Sequence, residues 1–356
     1  MKQICLILCI LIMLLPMLSA CAPSVSNGEI PQSSQPPQTA EPTHTETTQQ
    51  PTEPDTASTP PTEVNTEPLF QFDKYLISPE AREFLSEREY DLYRKMVDAL
   101  LDHSGTVNGF ESEEEFHKIW SLLLMEFVPA RGMITTYRSS ETPYVYKSGT
   151  AVLEFIGDKE TCDSNYAAFE EIINKALSLI QEDDSDWERI AKLYLFVTGH
   201  MNYGSPHTTY GVEPNQYNSI VYELGICGNY ADYLNMLANQ IGFETVRGTS
   251  LSSNTAVDIS HAWSVIRVEG TWYHFDACWM EWNYFALSTQ ERYDSLLLLN
   301  TTGIPCELSM FSQNDYTGEL RIALPHCEKG ISDDFRAELY ESVIKEYTEA
   351  LYEILP

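Results

Sequence analysis

The stretch from His261 to Asp276 constrains this chain more than any other. His261-Ala262-Trp263-Ser264-Val265-Ile266-Arg267-Val268 is rich in β-branched and aromatic residues. Glu269-Gly270 is a turn signal, and Thr271-Trp272-Tyr273-His274-Phe275-Asp276 has the character of a returning strand. A two-residue loop makes an antiparallel hairpin in which Val268 pairs with Thr271. Carried to its end, that register puts His261 opposite Cys278 and makes Asp276 its diagonal neighbour on one face. Any loop of even length preserves this, because side chains alternate along a strand. An odd loop or a bulge separates the two residues.

A second stretch, Gly225-Ile226-Cys227-Gly228-Asn229-Tyr230-Ala231, opens a helical pattern. Tyr230, Leu234, Leu237 and Ile241 recur at helical spacing, and Gly242 is the expected stop. Cys227 therefore falls at a helix start, where unpaired N–H groups and the helix dipole favour a thiolate. The flanking glycines permit close approach of other groups. A cysteine in an apolar setting is more often a small buried hydrophobe. With a histidine and an aspartate on one strand face, the other reading gains weight. The histidine takes the thiol proton and later returns one to a leaving amine, and the aspartate fixes the imidazole tautomer. A zinc site built from Cys227, His261 and Asp276 is the competing chemistry.

The remaining chain frames these two stretches. Lys2 precedes an apolar run from Ile4 to Leu18 that is too short to span a bilayer and ends in small residues, as a secretory signal does. Residues 22–68 are almost all Pro, Thr, Ser, Gln, Glu and Ala. Such a segment cannot bury a core and is expected to be a flexible tether spanning roughly 40 Å. The folded part is expected from about Leu69. Helices are predicted over 78–103, from Ser112 to about Phe127, over 164–181, and from the Ser185-Asp186-Trp187-Glu188 capping box onward. Ile190, Leu193, Tyr194 and Val197 of the last face the core. Residues 133–156 have β-type composition, Phe243–Ser250 reads as a strand, and a final helix runs from Ser332 to about Ile354. Its buried stripe is Phe335, Leu339, Val343, Tyr347 and Leu351.

The formal net charge is −32, which excludes a phosphate-neutralising stripe and so argues against nucleic acid as a partner. It also argues against peripheral binding to anionic lipid. Apart from the signal, Cys21 and Cys227, four cysteines remain: Cys162, Cys278, Cys306 and Cys327. These allow three pairings, and Cys306 with Cys327 is the first to consider because both lie in the irregular tail. His274 reads as a packing residue. Trp263, Trp272 and Trp279 read as core or groove wall, and His200 and His207 as surface loop residues.

Two resemblances extend this reading. Leu18-Ser19-Ala20-Cys21 resembles the bacterial lipobox. It implies cleavage before Cys21, a diacylglycerol thioether on its sulfur, and an extracytoplasmic protein anchored to a bacterial membrane. A plain signal peptide with an incidental cysteine is the alternative. Gly-Ile-Cys227-Gly-Asn-Tyr-Ala, then His261-Ala-Trp, then Trp-Tyr-His-Phe-Asp276 resembles the core of the transglutaminase-like superfamily, in order and in intervals of 34 and 15 residues. That likeness implies an α+β, papain-like fold: a nucleophile helix packed on an antiparallel sheet. It implies Cys227 as nucleophile, His261 as base and Asp276 as its orienter, with no cofactor and no metal. An upstream side chain often completes the oxyanion hole in such proteins; Tyr203 is the candidate, with Tyr217 behind it. The family often has Asp-Pro-Thr-Trp where this chain has Asp276-Ala277-Cys278-Trp279.

The expected organisation is a signal over 1–20, a linker over 21–68 carrying Cys21, a mainly helical leader over 69–185, the transglutaminase-like core over 186–290, and a C-terminal extension over 291–356. The expected function is acyl transfer or amide hydrolysis on a peptide or protein. The alternative is a non-catalytic binding or scaffolding module at the cell surface that uses the same groove.

Overall fold

A computed structural model describes residues 68–134, 143–212, 215–312 and 323–354. The signal, lipobox and linker lie outside the described residues. Among those described, no helix is long and apolar enough to cross a membrane.

Two large apolar cores, with a third small cluster around Trp263, organise the described residues. The first belongs to α1 (Pro79–Phe84), α2 (Glu87–Leu101), α3 (Glu113–Glu126), α4 (Ala130–Ile134) and a three-stranded antiparallel sheet. The sheet has the order β1-β3-β2, from β1 (Thr106–Asn108), β2 (Tyr144–Lys147) and β3 (Thr150–Leu153). The single helix expected over 78–103 is broken at Ser86. The Ser86 hydroxyl accepts from the Glu89 N–H at 3.2 Å while the Glu89 carboxylate accepts from the Ser86 N–H at 2.8 Å, so the capping box starts a new helix. Ile134 is helical rather than extended, and Thr135, Thr136 and Tyr137 lie outside the described residues.

The second core is larger. It takes in α5 (Lys159–Ser178), α6 (Asp186–His200), the catalytic-helix candidate α9 (Cys227–Gln240) and the end helix α11 (Asp333–Ile354). Between them lie β4 (Asn202–Tyr203), α7 (Pro206–Tyr210), α8 (Gln216–Val221) and β5 (Leu224–Gly225). The α5 helix begins earlier than its apolar pattern suggests, because the Asp158 carboxylate accepts from the Thr161 N–H at 2.8 Å and caps it. The Ser185 capping box forms as read, and Ile190, Leu193, Tyr194 and Val197 are all buried.

A four-stranded antiparallel sheet closes this core, in the order β8-β7-β6-β9. Its strands are β6 (Thr245–Ser252), β7 (His261–Val268), β8 (Thr271–Phe275) and β9 (Leu308–Ser312). The β7–β8 register is Val268 with Thr271 through Ser264 with Phe275. Glu269 and Gly270 both have positive φ, 49° and 82°, as a tight hairpin turn of the right twist demands. The helix α10 (Thr289–Leu297) lies between β8 and β9 in the chain.

The tail is part of the packing rather than an appendage. β9 is a sheet strand, and Leu339, Val343 and Tyr347 of α11 join the larger core. Phe335, expected in the same stripe, is 37% exposed. Cys162, Cys227, Cys278, Cys306 and Cys327 are all free thiols, so the Cys306–Cys327 pairing is not made. Cys327 is buried beside Trp263, Val265 and Leu296, whereas Cys306 lies by the Asn300 side chain.

Candidate active site

Cys227 is the first residue of α9. The sequence builds this helix start from Asn229, whose side-chain oxygen accepts from the Ile226 N–H at 3.0 Å. Asn229 is held in turn by Gln216, through Asn229 Nδ2 to Gln216 Oε1 at 3.0 Å and Gln216 Nε2 to the Asn229 carbonyl at 2.9 Å. The Tyr230 hydroxyl donates to the Met201 carbonyl at 2.8 Å. Two glycines permit this closeness. A Cβ at Gly225 would lie 2.8 Å from Asn229 Cβ, and one at Gly228 would lie 2.5 Å from Arg247 Nη2. Gly225→Ala is therefore expected to cost about 1–3 kcal/mol of stability, read as a lower urea midpoint with an unchanged slope.

His261 begins β7 and is 3% exposed. Asp276 follows β8 directly and is 1% exposed. His261 Nε2 stands 2.7 Å from Asp276 Oδ2. The two meet although β8 stops at Phe275, one residue before Asp276. There the chain turns into a 3₁₀ segment, Ala277–Trp279, and Asp276 Oδ1 accepts from the Cys278 N–H at 3.3 Å. That local turn is built from the residues that depart from the family's usual Asp-Pro-Thr-Trp. The Tyr194 hydroxyl, 3.0 Å from the Asp276 carbonyl, and the Asp276 N–H, donating to the Tyr284 carbonyl at 3.0 Å, fix the backbone.

The thiol is the third member. Burial raises the Cys227 thiol, but a hydrogen bond and charge from His261, the Ala262 N–H and the charge of Arg247 outweigh it. The result lies below the ordinary thiol value. Since Nε2 belongs to Asp276, Nδ1 is the ring nitrogen left for the thiol. Burial likewise raises the Asp276 carboxyl. The charges of His261 and Arg292, with hydrogen bonds from His261 and the Cys278 N–H, outweigh that and leave it below the usual carboxylate range. The site thus favours the charged forms of its acid and its thiol together.

The other sequence candidates fall as follows. Tyr203 lies on β4 opposite Gly225, two residues before Cys227, with 41% of its surface exposed. Tyr217 is a core aromatic, wedged so close to Gly132 that a Cβ there would lie 2.0 Å from the ring. Trp263 is core, while Trp279 is 37% exposed with its ring 5.6 Å from that of His261. His200 is not a surface loop residue. It ends α6 with Nε2 3.0 Å from the Ile220 carbonyl, stacked on Phe196. His274 is fully buried. Among the described residues, no group of three or more His, Cys, Asp or Glu side chains is placed to hold a metal ion.

Sequence reasoning missed Arg292 of α10. Its Nη2 lies 2.8 Å from Asp276 Oδ2, and both side chains are 1% exposed. It also missed Arg247 of β6, which pairs with Asp232 at 2.9 Å beside the first turn of α9. A single arginine in a polar helix or on a strand reads as a solvated charge, and nothing local marks Arg292 as buried or Arg247 as half-buried.

A cysteine at a helix start, packed on an antiparallel sheet that supplies a histidine and a carboxylate, is the arrangement of a papain-like fold. Residues 173–277 match the family model described as the transglutaminase-like superfamily. Among solved structures, a "putative cysteine protease" from Cytophaga hutchinsonii is 11% identical over 45% of this chain and 56% of its own length, at a TM-score of 0.27. A protein described as a TGase is 12% identical over 39% of this chain and 44% of its own length, at a TM-score of 0.26. The chain spans less than two thirds of either. Comparison with curated proteins gave no match.

Proposed function

We propose that this protein is a surface-anchored, cysteine-dependent acyltransferase or amide hydrolase acting on peptide or protein, with Cys227, His261 and Asp276 as its catalytic triad. One observation carries the reading. The imidazole that lowers the Cys227 thiol is itself held by a buried carboxylate at 2.7 Å.

The thiolate attacks the amide carbon, forming the C–S bond and placing the electron pair on oxygen. The Cys227 N–H at the helix start is the first oxyanion donor, and Tyr203 is the candidate for the second. His261 gives its proton to the leaving nitrogen as the C–N bond breaks, leaving a thioester. Water or an amine then gives its proton to His261, attacks the same carbon and releases the thiolate. Asp276 keeps Nε2 protonated and stabilises the imidazolium in both halves.

A small activated ester tests this without a known substrate. The full-length protein with p-nitrophenyl acetate should release about one equivalent of nitrophenol in a burst and carry an acetyl group on Cys227 by mass spectrometry. Absence of both, relative to Cys227→Ala, would count against an enzyme and for a binding module.

The anchor is proposed from Leu18-Ser19-Ala20-Cys21. Cys21→Ser is expected to move the protein from the membrane fraction to the soluble fraction, or to stall its processing. A correctly processed variant that stays with the membrane would sink the anchor.

A further inference from the structure

Arg292 lies beyond the matched segment 173–277, on a helix that sequence alone assigns to the tail. Its guanidinium is nevertheless buried against the catalytic carboxylate. A fully buried ion pair is poor value for stability, since desolvating both charges cancels most of their attraction. The surroundings show what holds this one.

The guanidinium carbon sits 4.8 Å from the centre of the Trp263 ring, over its face, and Nη1 donates to the Ser295 hydroxyl at 3.3 Å. Trp263 is fixed in turn. Its indole N–H donates to His274 Nδ1 at 2.8 Å. His274 Nδ1 is therefore an acceptor, and the neutral ring carries its proton on Nε2, 3.2 Å from the Thr289 hydroxyl. Burial, first, and then the charges of Arg292 and His326 push His274 down to about 3, so this tautomer holds at any pH where the enzyme would work.

The helix carrying Arg292 is pinned by the same neighbours. Ser288 and Glu291 form a capping box, the Thr289 N–H donates to the Cys327 carbonyl at 2.8 Å, and His274 and Leu287 exchange backbone hydrogen bonds at 2.8–2.9 Å. A continuous line runs from His274 through Trp263 and Arg292 to Asp276 and His261, all buried, and on to the half-buried Cys227.

We propose that Arg292 is a positioning residue of the catalytic site: it keeps Asp276 ionised and aimed at His261 Nε2, and the Trp263–His274 pair holds it there. The proposal rests on the triad reading above. Asp276 is faced by His261 from β7, Arg292 from α10, Tyr194 from α6, and Cys278 and Tyr284 from the turn after β8. Burial pushes both tyrosine hydroxyls further from ionisation, so Arg292 is the permanent cation among them. Without it, Asp276 loses a neighbour that typically lowers a carboxyl by about 1–3 units. As the pH falls, Asp276 then protonates sooner, the imidazolium loses its partner, and the thiolate fraction of Cys227 drops.

The test is the rate of iodoacetamide alkylation at Cys227, followed by peptide mass spectrometry from about pH 4 to 9 in the full chain. The acid limb of Arg292→Met should lie roughly 1–3 pH units above that of the wild type. In an Asp276→Asn background the same substitution should move the limb no further, because there is no carboxyl left to titrate. If Arg292→Met does not fold by circular dichroism, Arg292→Lys should move the limb the same way by less. A folded variant whose limb coincides with the wild type, or an equal shift without Asp276, overturns the role of Arg292 while leaving the triad standing. A wild-type profile of an ordinary thiol overturns both.

Discussion

Cys227→Ala is expected to lower acyl-transfer turnover by about 10⁶-fold, the scale seen when a triad nucleophile is removed. A methyl group cannot attack a carbonyl, and the other four free cysteines cannot substitute. Cys162, Cys278 and Cys327 are buried, and burial raises the thiols of Cys162 and Cys327, the latter to about 12. Cys306 is partly exposed, and the polar contact its sulfur makes is with the Asn300 side chain. The fold should survive, because alanine suits the first helical turn and the Asn229–Gln216 brace does not involve the sulfur. Thermal midpoints should therefore stay close while turnover disappears. A variant that retained turnover would remove Cys227 from the chemistry. A wild type with no turnover, whose ligand binding Cys227→Ala leaves intact, would make the domain a binding module.

Asp276→Asn is expected to cost about 10⁴-fold in turnover, because the amide cannot fix the reacting tautomer or stabilise the imidazolium. It is also expected to cost about 3–5 kcal/mol of stability at neutral pH, since it leaves the Arg292 charge buried without a partner. The pH dependence has a definite sign. The Asp276 carboxyl is lowered in the folded protein, so its stabilisation is fully present above the unfolded carboxyl value of about 3.9 and is lost as the pH falls through the folded value. The stability gap between wild type and variant should close in acid. Adding Arg292→Met to Asp276→Asn removes both partners and should recover stability without recovering turnover. Urea melts at neutral and acid pH, with turnover measured beside them, separate the two effects. A single variant as stable as the wild type would mean that Arg292 does not depend on Asp276.

What the sequence made legible was local or periodic. The β7–β8 register follows from alternation on either side of Glu269-Gly270, and the positive φ of both turn residues is the backbone form of that signal. The α9 face follows from Tyr230, Leu234 and Leu237, all fully buried. The start of α6 follows from Ser185 and Glu188. The misreadings have physical causes. Ser86 offers the backbone an alternative partner and breaks a helix whose apolar stripe runs on without interruption. Phe335 shares the period of Leu339 but sits in the first turn of α11, where its ring meets that of Trp187 edge-on and stays 37% exposed. Arg292 was hidden because its burial depends on a carboxylate from another element. Hydropathy assigns an arginine to solvent, and only the fold reveals that Asp276 and the Trp263 face offset its desolvation.

The most direct test of the central claim is the titration of the Cys227 thiolate, read as the ultraviolet absorbance difference between the wild type and Cys227→Ala. The inflection should fall well below the free-thiol value of about 8.5, and His261→Ala should move it upward. An inflection at or above that value, unchanged by the loss of His261, would show that Cys227 and His261 are not a poised pair.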